Sequence, residues 1–190
     1  MRQKPATADV RRASGLPEPH VLRIPERTAR VGVLVDRLPS SAVLPGLVHL
    51  LARVAGTTTA QLSLLGEQQS ALVACDGTSC ATSGGPLEDS LCTVTLLSGD
   101  VLVAADARTH PWLHDLPPVR SGDVGRYLGV PLRLGDGTTV GAACAFDREP
   151  KAWTQEQVTR ACDVADVVAV ELQRLVELGS GAPPHVPAQP

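Results

Sequence analysis

Five cysteines and two histidines four apart are the residues of this 190-residue chain best suited to chemistry: Cys75, Cys80, Cys92, Cys144, Cys162, His110 and His114. Nucleophilic and redox steps need a thiolate. Metal binding through thiols favours a Cys-x-x-Cys pair, and none is present. The cysteine count is odd and no export signal precedes it, so reduced thiols are expected rather than a disulfide framework. His110 and His114 have a spacing that could hold a metal if the segment were helical. Two ligands without a third fall short of a site, and exposed loop histidines are the expectation. No Gly-Lys-Ser/Thr follows Asp76-Gly77 or Gly84-Gly85, so neither is a phosphate loop. The residues alone name no catalytic group, no metal and no cofactor.

Composition narrows the partners. The formal net charge is −3, and the aromatics are Trp112, Tyr127, Phe146 and Trp153 alone. A base-stacking surface or a broad phosphate-binding face is therefore not expected. No apolar run approaches the ~18 residues of a membrane helix, and a cytoplasmic location is expected. Basic residues crowd the first 30 positions, with seven Arg or Lys against three acids. Both ends are rich in proline and lack apolar periodicity. Residues 1–25 are predicted to be a disordered basic tail and 179–190 a disordered Pro-rich tail, flanking one domain over 26–178.

Within that body the patterning predicts a helix at Ala29–Leu38. A second helix follows Ser40 or Ser41, with Pro45 in its first turn and Gly56 as its stop. Strands at Ala60–Leu65 and Ser70–Cys75 enclose a hairpin loop, and Asp76–Pro86 reads as a surface loop. Leu87–Leu97 reads as a short helix and Val101–Ala105 as a buried strand. Asp106–Asp123 is too long for an ordinary connection and is expected to be functional or partly helical. Arg126–Leu134 and Thr138–Phe146 form a hairpin about Gly135-Asp136-Gly137. Tyr127, Gly129, Pro131, Gly141, Ala143 and Ala145 read as one face of low bulk, approached by a helix or flooring a cavity. Thr154 and Gln157 have capping-box spacing at the head of a last helix. The fold class is α+β, a mostly antiparallel sheet of five or six strands with helices packed on it.

Ser90-Leu91-Cys92, Leu102 to Arg108, Tyr127-Leu128-Gly129-Val130-Pro131-Leu132, Gly141 to Pro150 and Trp153 to Gln157 occur in an order that resembles a GAF domain of bacterial signalling proteins. The resemblance covers about Val31 to Leu178. It implies N- and C-terminal helices on one sheet face, with loops and a short helix over a pocket on the other. It further implies a sensory module that binds a small molecule or a signalling partner, commonly as a homodimer. No output domain follows the last helix, so output is expected to pass through a partner. The alternative is a pure dimerisation or docking module without a ligand, which a cavity below about 300 Å³ would favour.

On that resemblance Cys92 sits on the helix capping the pocket, and Asp106, Arg108, Arg126 and Tyr127 edge it. These five are the candidate ligand-binding residues, and the ligand itself is unknown. Some GAF domains reduce free methionine sulfoxide, but the segment Arg108–Asp123, where their attacking cysteine lies, contains none here. A non-enzymatic role is therefore expected, with an enzyme resembling those reductases as the remote alternative. The cyclic-nucleotide signature and any recognisable bilin-attachment context are also missing.

Overall fold

The computed structural model describes residues 19–75 and 81–180. Of the expected tails, 1–18 and 181–190 lie outside the described residues, as do 76–80 with Cys80. The domain begins before its expected start, because Leu22, in a 3-10 turn at Pro19–Arg23, packs into the core.

Helix α1 spans Pro25–Arg37, four residues earlier than its periodicity suggests. Pro25 supplies the start, since a missing N–H costs nothing in the first turn. Helix α2 spans Leu44–Ala55 and ends at Gly56 in the left-handed region (φ 64°). Val43 rather than Ser40 or Ser41 stands at the N-cap and has no side-chain cap, but the Ser41 hydroxyl accepts from the backbone N–H of Leu44 at 3.3 Å.

The sheet contains β1 (Thr59–Leu65), β2 (Gln69–Cys75), β3 (Ala81–Gly85), β4 (Leu102–Ala104), β5 (Arg126–Arg133) and β6 (Thr139–Asp147). Its order is β3-β2-β1-β6-β5-β4, and every pairing is antiparallel. Strand β3 corrects the expected surface loop. Its Ala-Thr-Ser-Gly-Gly sequence has no apolar alternation, and backbone pairing with β2 from Val73↔Ala81 to Gln69↔Gly85 makes it an edge strand. Strand β4 corrects the expected buried strand. It is the opposite edge, and Val103 is 42% exposed.

The β5–β6 register also redraws the low-bulk face. Leu128 pairs with Ala145 and Val130 with Ala143, so these large and small residues share one side. Tyr127, Gly129 and Pro131 share the other with Phe146, Cys144 and Ala142. Small side chains are thus split between both faces, and each admits a helix.

Helices α1, α2 and α5 (Gln155–Ser180) cover the first face and bury Leu34, Leu51, Leu62, Leu128, Val168 and Leu172. At the head of α5 the capping box forms. Gln157 N donates to Thr154 Oγ1 at 3.2 Å, and Thr154 N donates to Gln157 Oε1 at 3.0 Å. Helix α3 (Leu91–Ser98) covers the second face. The expected helix over Leu87–Leu97 is divided: Leu87–Asp89 is a 3-10 turn and Ser90 is extended before α3 begins. Leu91 to Leu97 are all buried, as suits a helix enclosed on every side. The long segment after β4 is partly helical, with α4 at Pro117–Arg120. Its Ala107, Leu113, Leu116 and Val119 complete the second core.

Candidate functional site

Alternation along β1 sends Leu62 and Leu64 to the first core and Gln61 and Ser63 to the second. There the amides of Gln61 and Gln69 both donate to Ser63 Oγ, at 2.7 and 2.9 Å. Ser63 Oγ in turn donates to Cys92 Sγ at 3.2 Å. Cys92 Sγ also lies 3.2 Å from Cys144 Sγ and within 3.8 Å of the Tyr127 hydroxyl. Tyr127 shares a 2.8 Å hydrogen bond with Thr95, one turn along α3 from Leu91. Gly129 makes this closeness possible: a Cβ there would stand 2.3 Å from Thr95 Oγ1.

Of these groups, Gln61, Gln69, Cys92, Tyr127 and Cys144 border a cavity of about 280 Å³. Gln61, Gln69, Ser90, Cys92, Tyr127, Cys144 and Phe146 line it, with Pro118 and Val124 from the long segment. Its charged lining residues are Asp89 and Asp123, both acidic. Donation from Cys144, with further donation from Ser63 and Tyr127, lowers the Cys92 thiol against the opposing effect of burial. The interaction with Cys92 and burial push the Cys144 thiol well up, and burial does the same to the Tyr127 phenol. A larger hollow of about 890 Å³ lies elsewhere, among Leu22, Arg23, Thr28, Gly66, Glu67 and Thr93.

The structure brings Cys92 and Tyr127 into the smaller cavity and places the other three candidates elsewhere. Arg126 and Tyr127 are neighbours on one strand, so they face opposite sides of the sheet. Arg126 is buried on the helix side, where Nη2 donates to Asp147 at 2.5 Å and to the Gly56 carbonyl at 2.6 Å. Asp106 and Arg108 pair with one another at the surface at 2.8 Å. Hydrogen bonding to Arg108 holds the Asp106 carboxyl below its usual range. His110 and His114 bond within their own segment: Trp112 N donates to His110 Nδ1, and His114 Nδ1 contacts the His110 carbonyl at 3.0 Å. Among the described residues no third ligand joins them.

Gln61, Gln69 and Ser63 were not singled out in the sequence, and Cys144 was marked only as one of five cysteines. The alternation of β1 was the one available signal, since it marks Gln61 and Ser63 as polar groups on a face opposite Leu62 and Leu64.

An antiparallel sheet with terminal helices on one side and a small pocket under a buried helix on the other is the arrangement that the resemblance implies. The GAF-domain family profile matches residues 30–172, and the chain belongs to the GAF family. A cyclic di-GMP phosphodiesterase of Pseudomonas aeruginosa is 37% identical over 67 residues, which are 35% of this chain and 11% of that protein. The GAF domain of a Coxiella burnetii phosphoenolpyruvate-protein phosphotransferase superposes with a TM-score of 0.57 at 17% identity, covering 85% of this chain and 96% of that one. A free methionine-R-sulfoxide reductase of Thermoplasma acidophilum superposes with a TM-score of 0.54 at 18% identity, covering 76% and 96%. At these identities the structures share the fold alone.

Proposed function

We propose that this chain is a non-enzymatic regulatory module of bacterial, cytoplasmic signalling that reads a small molecule in the Cys92–Tyr127 cavity. The observation that carries the reading is the convergence of the Gln61 and Gln69 amides on Ser63 beneath α3. Few polar groups in an otherwise apolar cavity fix a ligand's orientation. Among the described residues the charges in the lining are acidic, so the fitting ligand is small and neutral or cationic rather than a phosphate ester. The module passes its state to a signalling protein and acts as a homodimer through its terminal helices. Val167, Val170 and Leu178 form an exposed stripe along α5, with Val170 71% exposed.

The cavity volume, about 280 Å³, favours the second reading, a docking module with no ligand. Native mass spectrometry of gently purified protein separates the two. The sensing reading expects a bound mass that leaves on denaturation and is lost in a Gln61→Leu/Gln69→Leu chain. An apo dimer whose melting is unmoved by a panel of small amides, amines and nucleobases overturns it in favour of docking.

A further inference from the structure

Two thiols face each other at the floor of the cavity, one on helix α3 and one on strand β6. Their sulfurs are 3.2 Å apart, so the bond length of a disulfide, ~2.05 Å, requires an approach of about 1.2 Å. Both line the cavity, which gives a small oxidant a route to otherwise buried sulfur. Tyr127 reaches both sulfurs, but Ser63 donates to Cys92, which distinguishes the two thiols. We propose that Cys92 and Cys144 are a redox-active dithiol, oxidised by a small hydroperoxide to a disulfide that ties α3 to the sheet.

The Cys92 thiolate attacks the distal peroxide oxygen. A sulfur–oxygen bond forms, the oxygen–oxygen bond breaks, and the leaving oxygen departs as water or an alcohol after taking a proton. The Cys144 sulfur then attacks the Cys92 sulfenic acid. The sulfur–sulfur bond forms, the Cys144 proton joins the departing hydroxyl, and water leaves. The two sulfurs together lose two electrons and the peroxide gains them. Donation to Cys92 lowers its thiol, which assigns it the first attack, while Cys144, pushed up, resolves. The bond draws Cys92, and with it α3, toward β6 and away from its present contact with Ser63. Oxidation thereby changes the cavity that the proposed ligand would occupy, but the redox chemistry needs no ligand.

The test is a hydrogen peroxide titration of the full chain, followed by alkylation of free thiols, intact mass and fragment mapping. The expected product is about 2 Da lighter before alkylation and two alkyl groups short of the reduced chain after it, with Cys92 linked to Cys144. A Cys144→Ser chain is expected to stop as a Cys92 sulfenic acid, about 16 Da heavier before trapping and converted to the dimedone thioether once that reagent is added. A Cys92→Ser chain is expected to leave Cys144 reduced. The proposal is overturned if wild type keeps both thiols, if Cys92 runs on to a sulfinic acid with Cys144 free, or if Cys92 links to another cysteine. The wild-type result decides even where a variant does not fold. Ligand retention by the reduced chain is read separately, so the sensing proposal can fail without this one.

Discussion

The guanidinium of Arg126 lies 4.5 Å from the centre of the Trp153 ring. Among the described residues its buried Nη1 meets no hydrogen-bond acceptor, and the face of the ring supplies the attraction instead. The other end of the group is held by Asp147, which also accepts from Thr58 N and Oγ1 at 2.8 Å each. Trp153 is itself fixed by donation to the Ala104 carbonyl at 3.0 Å. Burial raises the Asp147 carboxyl, but the donors from Thr58 and Arg126 outweigh it and the net shift is downward. One arginine therefore joins the end of α2, strands β5 and β6, and the approach to α5. Arg126→Ala is expected to cost about 3 kcal/mol, because it strands a partly buried carboxylate. Urea denaturation followed by circular dichroism checks this. A cost under about 1 kcal/mol would show the pair to be dispensable.

Glu171 gives the clearest dependence on pH. Arg174 donates to both its oxygens at 2.7 and 2.8 Å, and Ser41 donates to Oε1 at 2.6 Å. The same Ser41 hydroxyl receives the Leu44 N–H, so α2 and α5 meet at this carboxylate. The bonds from Arg174, then Ser41, lower the Glu171 pKa from 4.5 to about 2. The folded state therefore holds the proton less tightly than the unfolded chain does. The resulting stability is fully present above pH 4.5 and is lost as pH falls toward about 2. Discounted for the exposure of Arg174, the effect is roughly 1–2 kcal/mol. Denaturation midpoints of wild type and Glu171→Gln at pH 7 and pH 3 are expected to converge at the lower pH. Parallel loss in both proteins would rule out this carboxylate as the cause.

The elements with strong local chemistry were legible in the sequence. Gly137, Gly56 and the Thr154–Gln157 box place their turns and caps whatever surrounds them, and the hairpins about them follow. Strand β3 was hidden because its Ala-Thr-Ser-Gly-Gly sequence has no apolar alternation, and only backbone pairing with β2 marks it as a strand. Val101 to Ala105 read as buried for the opposite reason: apolar runs also occur at sheet edges, and position in the sheet order is a tertiary property. At the site, Cys92 was reached through family resemblance. Its partner Cys144 lies 52 positions away, and strand register alone brings the two together. Adjacent Arg126 and Tyr127 could not both edge one pocket, a constraint that alternation already carried.

Gly129 tests the approach of α3 to the sheet. An alanine Cβ would stand 2.3 Å from Thr95 Oγ1 and 2.6 Å from the Tyr127 hydroxyl. Both belong to buried, hydrogen-bonded side chains with little room to withdraw. Gly129→Ala is expected to destabilise by about 2 kcal/mol through overpacking. Adding Thr95→Ala is expected to recover part of the loss, because it removes the nearer clash. A fully additive double variant, measured by thermal unfolding, would place the strain elsewhere.

Arg27 tests whether a basic residue near the N-terminus can be part of the core. Its guanidinium donates to three main-chain carbonyls: Leu22 at 2.9 Å, Thr139 at 2.9 Å, and Leu65. The group is 5% exposed, and burial lowers its pKa to about 10. It replaces the hydrogen bonds that the ends of β1 and β6 would otherwise make with water. Arg27→Met keeps much of the side-chain volume and removes every donor, which leaves three acceptors unmatched. At about 1–3 kcal/mol for each buried acceptor left unpaired, the expected loss is at least about 3 kcal/mol. Arg27→Lys is expected to recover less than half, since a compact ammonium cannot span three divergent carbonyls. Arg30, whose ion pair with Asp136 is 40% exposed on both sides, is the control and is expected to cost under about 1 kcal/mol when changed to Met. Equal losses for Arg27→Met and Arg30→Met in urea titrations would reduce Arg27 to a surface charge.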